Sequence, residues 1–75
     1  MCGPVTASED GSAITLLQAR QRALKVRPGH VIKQQFEREK GGSGLRYSFD
    51  IRVGGVTYEV GIDAKTGRVL ENGKA

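Results

Sequence analysis

Between Leu45 and Ile62 the chain alternates apolar and polar residues twice, with two glycines in between. Leu45, Tyr47, Phe49, Ile51 and Val53 interleave with Arg46, Ser48, Asp50 and Arg52; after Gly54-Gly55, Val56, Tyr58, Val60 and Ile62 repeat the pattern. A period of two broken by Gly-Gly predicts a half-buried antiparallel hairpin. Closing it at the glycines sets Val53 opposite Val56, Ile51 opposite Tyr58, Phe49 opposite Val60 and Tyr47 opposite Ile62. A slip of one residue would turn all eight side chains to the wrong face. The other face then pairs Arg46 with Asp63, which is favourable, and Asp50 with Glu59, which is not, each worth roughly 0.2–1 kcal/mol.

Upstream the period is 3.6. Leu16, Ala19, Ala23 and Val26 recur three and four residues apart, with Leu17 and Leu24 widening the stripe. Thr15-Leu16-Leu17-Gln18 fits a capping box with Thr15 as N-cap, and Ile14 and Ala19 stand where a hydrophobic staple would sit. Arg20 and Arg27 fall within the stripe and are expected at its rim, stems packed and charged ends in water. Pro28-Gly29 ends the helix by Arg27.

Between helix and hairpin, Val31 to Glu39 forms a weaker strand, with Ile32, Gln34 and Phe36 on one face. Pairing Phe36 with Tyr47 brings Lys33 to Asp50 and Glu37 to Arg46; pairing it with Phe49 sets Lys33 against Arg52, so the first register is favoured. Lys40 to Gly44 is expected as a floppy connection. Asp63-Ala64-Lys65-Thr66-Gly67 is a turn, and Arg68 to Glu71 a short last strand. The predicted fold class is α+β: one N-terminal amphipathic helix packed on a four-stranded antiparallel β-meander. Residues 1–13, small and polar, are expected to be a flexible leader; 14–71 the folded domain; 72–75 a loose tail.

Seventy-five residues allow one domain, near the lower size limit for folding without staples. One cysteine, Cys2, and one histidine, His30, supply neither a disulfide nor a zinc site. The Lys40–Gly44 loop lacks a phosphate-binding pattern, and the Asp63 turn has one acidic residue where calcium loops have several. Asp63 is read as bonding its own turn's backbone, with Gly67 at positive φ. Asp50 and Glu59 read as a solvated pair, since nothing near them suggests a nucleophile. No catalytic residue, metal or cofactor is predicted.

The segments Ile14-Thr15-Leu16-Leu17-Gln18-Ala19, Ala23-Leu24, Val31 to Glu39, Tyr58-Glu59-Val60 and, above all, Asp63-Ala64-Lys65-Thr66-Gly67-Arg68-Val69-Leu70 together resemble a PepSY domain over residues 14 to 71. The resemblance implies a bacterial envelope-associated or secreted, non-catalytic domain that binds proteins or restrains proteases. It makes a trimmed signal peptide an expectation here, with a cytoplasmic location as the alternative. Cys2-Gly3 at the head of a polar leader also resembles the mature end of a lipoprotein, so Cys2 is a candidate lipidation site, and membrane association is expected only through it.

The expected partner surface is the outer sheet face, Arg46, Asp50, Arg52, Thr57 and Glu59, with an edge strand open to strand addition. The expected partner is another protein, with a protease as the candidate that the resemblance implies. The alternatives are a structural accessory domain and an anion-binding module. Net charge is +4, and residues 11 to 36 carry Arg20, Arg22, Lys25, Arg27 and Lys33 with no acid among them. That stretch could meet nucleic acid or acidic lipid. Nucleic acid is disfavoured, because Tyr47, Phe49 and Tyr58 alternate as core residues and cannot act as stacking platforms.

Overall fold

The computed structural model describes residues 13–75. The elements are α1 (Leu16–Val26), β1 (His30–Arg38), β2 (Leu45–Val53), β3 (Val56–Asp63) and β4 (Val69–Lys74). The four strands form one antiparallel sheet in the order β1-β2-β3-β4, so the described residues form an α+β meander with a single helix.

The capping box forms as the sequence predicts. Thr15 Oγ1 accepts the Gln18 N–H at 3.1 Å, and Gln18 Oε1 accepts the Thr15 N–H at 2.8 Å. These bonds satisfy two donors that the first helical turn would leave orphaned. Ile14 packs against the core cluster to which Ala19 belongs. Arg27 is the C-cap, its φ of −144° leaving the helical region just before Pro28. The helix docks on β2 and β3 through two alanines, Ala19 and Ala23, both fully buried. Its larger apolar residues flank that contact, and Leu17 stays 63% exposed.

Beneath the alanines lie Phe49, Ile51, Val60 and Ile62, all at 0% exposure, with Tyr47 and Leu45 nearly so. Burying each of these side chains contributes about 1.5–3 kcal/mol. The β2–β3 register is the one read from the alternation, with Val53↔Val56, Ile51↔Tyr58, Phe49↔Val60 and Tyr47↔Ile62. Gly54 and Gly55 close it at φ of 55° and 88°, the left-handed pair that matches the twist of the strands. The β1–β2 register is also the favoured one, Phe36↔Tyr47, with Lys33↔Asp50 and Glu37↔Arg46.

Four expectations need correction. A β-bulge between Val31 and Lys33 makes Ile32 the unpaired extra residue. Val31, opposite Ile51, therefore shares the inner face with Gln34 and Phe36, and Ile32 is left 48% exposed. The last strand runs through Lys74, because Asn72 pairs with Val60, Gly73 with Glu59 and Lys74 with Tyr58; residues 72–74 are sheet, not a loose tail. At the other end Ala13 already donates its N–H to the Ala64 carbonyl, one residue before the expected start of structure. The Lys40–Gly44 connection is pinned at Ser43, as described below. The expected leader at 1–12, with Cys2, lies outside the described residues.

Candidate interaction surface

Because side chains of directly opposed residues share a face, the registers lay out the sheet surface away from α1. Lys33, Asp50 and Glu59 form one row, ending on Gly73. Gln35, Ser48, Gly61 and Glu71 form the next. Glu37 and Arg46 follow on one side, and Arg52 with Thr57 on the other. The five residues predicted from sequence, Arg46, Asp50, Arg52, Thr57 and Glu59, are thus brought onto one surface. No element of residues 13–75 packs over it.

They are not equally available. Arg52 is exposed, and Asp50, Thr57 and Glu59 are half-buried. Arg46 is buried, at 9% exposure, where the sequence reading treats it as an exposed surface group. Its stem passes close to Gly61, where a Cβ would stand 3.5 Å from Arg46 Cδ; the missing side chain lets the arginine lie flat on the sheet. The guanidinium donates Nη2 to the Lys40 carbonyl at 3.0 Å and lies 3.6 Å from Glu71 and 4.0 Å from Glu39. The Nε–H finds no partner among the described residues.

The expected Arg46–Asp63 ion pair gives way to two separate arrangements. Arg46 takes Glu71, while the Asp63 carboxylate, 1% exposed, turns to the loops. It accepts the Ser43 N–H at 2.6 Å, the Ser43 hydroxyl at 2.8 Å, and the N–H groups of Lys65 and Thr66 at 2.8 and 3.1 Å. Burial alone would raise its pKa; these four bonds outweigh it and hold the pKa at about 2. Asp63 therefore bonds its own turn, as predicted, and also fastens the glycine loop to it. Gly67 completes the turn at φ 81°.

Ser48 donates to Glu37 at 2.8 Å. Glu59 has its pKa raised, first by burial and then by Glu71, Asp50, Glu37 and Glu39. Those four, Glu59 itself and Asp63 are all the carboxylates of residues 13–75. The sequence missed Glu71 and Glu39 as members of this surface. Glu71 is placed by a second irregularity, between Gly61 and Ile62, which periodicity does not reveal.

Among the described residues the helix layer carries cations and no acid. Arg20 and Arg27 are half-buried at the rim, and their heads are engaged: Arg20 bonds Gln34 at 3.4 Å, Arg27 bonds Asn72 at 3.0 Å and stacks 3.9 Å over the Tyr58 ring. Arg22 reaches the Gly67 carbonyl at 3.4 Å. Tyr47 and Phe49 are buried and Tyr58 is covered by Arg27. No helix among the described residues is long and apolar enough to cross a membrane.

The family model described as "Peptidase propeptide and YPEB domain", PepSY, matches residues 13–72. The chain belongs to the PepSY family. No curated protein and no solved structure gives a significant match. As a PepSY domain it falls in a class named for peptidase propeptides, domains that are generally inhibitory and non-catalytic and occur in extracellular or periplasmic proteins. The match extends one residue upstream of Ile14 and one beyond Glu71, so the PepSY domain takes in Ala13 and reaches into β4.

The Asp50–Glu59 juxtaposition gives a test of this surface's electrostatics. Glu59→Gln should raise stability at pH 7 by a few tenths of a kcal/mol, since it removes a like-charge pair. A carboxyl whose folded pKa is raised costs stability as pH rises from the unfolded value upward. The gain should therefore shrink as pH falls toward 4.5, the group's ordinary value, and be largely gone at pH 4, which melts at pH 7 and pH 4 would resolve.

Proposed function

We propose that this PepSY domain is a protein-binding module of the bacterial envelope that restrains or modulates a peptidase. What supports this is the family match, taken with a sheet face that no element of residues 13–75 covers. Sheet backbone holds Asp50, Arg52, Thr57 and Glu59 there in fixed register, so a partner meets a surface already ordered and loses little entropy on binding. Arg46 contributes from beneath, holding Glu71 and the Lys40 carbonyl in place. A lipid on Cys2 would add an anchor in the same compartment; mass spectrometry of the protein from its native host tests that.

The test is inhibition of envelope peptidases encoded beside this gene by the purified chain. Arg52→Glu is expected to weaken inhibition at least tenfold by reversing an exposed charge while leaving the melting temperature unchanged. If none of those peptidases binds or is inhibited, the peptidase reading fails.

A second reading, an anion-binding module, is favoured by one observation: Arg20, Arg22 and Lys25 lie on α1 and Arg27 is its C-cap, with no carboxylate among the described residues of that layer. Affinity for acidic vesicles or duplex DNA should then fall steeply with salt. Negligible affinity at low salt rejects it.

A further inference from the structure

β1 is an outer strand of the sheet, and α1 packs chiefly over β2 and β3. The helix flank turned toward β1 is fixed by the Arg20–Gln34 bond. Leu17 and Leu24 stand three residues before and four after Arg20, so they share its flank. Leu17 is 63% exposed there, and Phe36, on the inner face of β1, is 39% exposed. Among the described residues an open edge and an apolar flank thus lie side by side, which is an arrangement that soluble folds ordinarily blunt or cover.

The regular part of β1, Lys33 to Arg38 beyond the bulge, is self-complementary. Laid antiparallel against a second β1 about a two-fold axis at Gln35, it sets Lys33 of each copy opposite Glu37 of the other. Gln34 meets Phe36 twice on the inner face, and Gln35 meets itself. A slip of one residue sets outer-face side chains against inner-face ones. A slip of two leaves Gln35 opposite Lys33 or Glu37, with an ion pair only through Glu39 past the end of β1. A slip of four puts Lys33 opposite Lys33 or Glu37 opposite Glu37. The charges therefore select one register among the alternatives. The axis also leaves both helices on the same side, bringing their Leu17–Leu24 flanks toward each other.

We propose that two copies of this chain associate through β1 in this register, joining their sheets edge to edge. The interface is isologous, as a closed dimer requires, and it leaves the outer-face residues Arg52, Thr57 and Glu59 free.

Sedimentation velocity of the whole chain tests this, run with reductant to prevent Cys2 crosslinks and over micromolar to millimolar concentration. A reversible dimer is expected. Lys33→Glu and Glu37→Lys should each raise its Kd by roughly tenfold or more, since each turns two attractive pairs repulsive. The double exchange Lys33→Glu with Glu37→Lys should restore the dimer. Arg68→Glu, which changes net charge as Lys33→Glu does but lies in the β3–β4 turn, should leave it intact. Circular dichroism confirms that each variant is folded. A monomer at every concentration overturns the proposal, as does a dimer indifferent to the single exchanges or one the double exchange fails to recover.

Discussion

Asp63→Ala is expected to cost about 3 kcal/mol, most of the roughly 3–5 kcal/mol that a core of this size supplies. The carboxylate joins the Lys40–Gly44 loop to the β3–β4 turn. It accepts from Ser43 twice and from Lys65 and Thr66 once each, and bonds to a charged acceptor are the stronger kind. Removing it orphans three backbone donors at once. Thermal melts should show a midpoint lowered by roughly 12–24 °C, taking about 4–8 °C per kcal/mol for a domain this small. Asp63→Asn keeps the shape and one acceptor, so it should lie between wild type and alanine.

The same group predicts an acid limb. Its folded pKa of about 2 lies below the ordinary 3.8, so its contribution is complete above pH 3.8 and is lost as pH falls through about 2. The difference corresponds to about 2 kcal/mol. Melting temperatures of the wild type should fall between pH 4 and pH 2, and Asp63→Asn should flatten that fall. A wild-type midpoint that holds steady across this interval would contradict the assignment.

Phe49→Ala should be the most damaging single change. Phe49 sits in the centre of β2, opposite Gln34 on one side and Val60 on the other, and is fully buried. Loss of an aromatic side chain from such a site costs roughly 3–5 kcal/mol, part transfer and part cavity. That equals the whole expected stability, so the variant should show no cooperative melt and little near-ultraviolet dichroism. Phe49→Leu, which leaves a smaller void, should still fold and melt below the wild type. An alanine variant that melts cooperatively near the wild-type temperature would mean the core is organised around another residue.

The parts of the fold that follow from local pattern were legible in the sequence. Alternation about Gly54-Gly55 fixed the central register, Thr15 and Gln18 announced the cap, and the charge pattern around Lys33 and Glu37 chose the β1–β2 register. The misses have a common physical cause. The bulge at Ile32 and the irregularity beside Ile62 shift parity by one residue, and no local signal marks an extra residue in a strand. Arg46 was misplaced for a related reason. Its burial depends on Gly61, fifteen residues away, lacking a side chain, and on Glu71 arriving from β4. The composition of residues 72–74 suggested a tail; pairing with β3 supplied what composition lacked. The outer-face residues were found because one alternating pattern placed them, whereas the acids around them, Glu37, Glu39 and Glu71, come from β1, the loop after it and β4.

The contact between α1 and the sheet has a consequence for the order in which the molecule assembles. Each strand pairs only with its neighbour in sequence, so the sheet closes through short loops, the circumstance in which chains fold quickly. The helix leaves the ribosome before any strand, yet eleven residues are too few for a helix to persist alone in water. Its only fully buried residues, Ala19 and Ala23, acquire a surface to rest on once β2 and β3 have paired. Although first to be synthesised, α1 is the element whose native structure must wait for the hairpin.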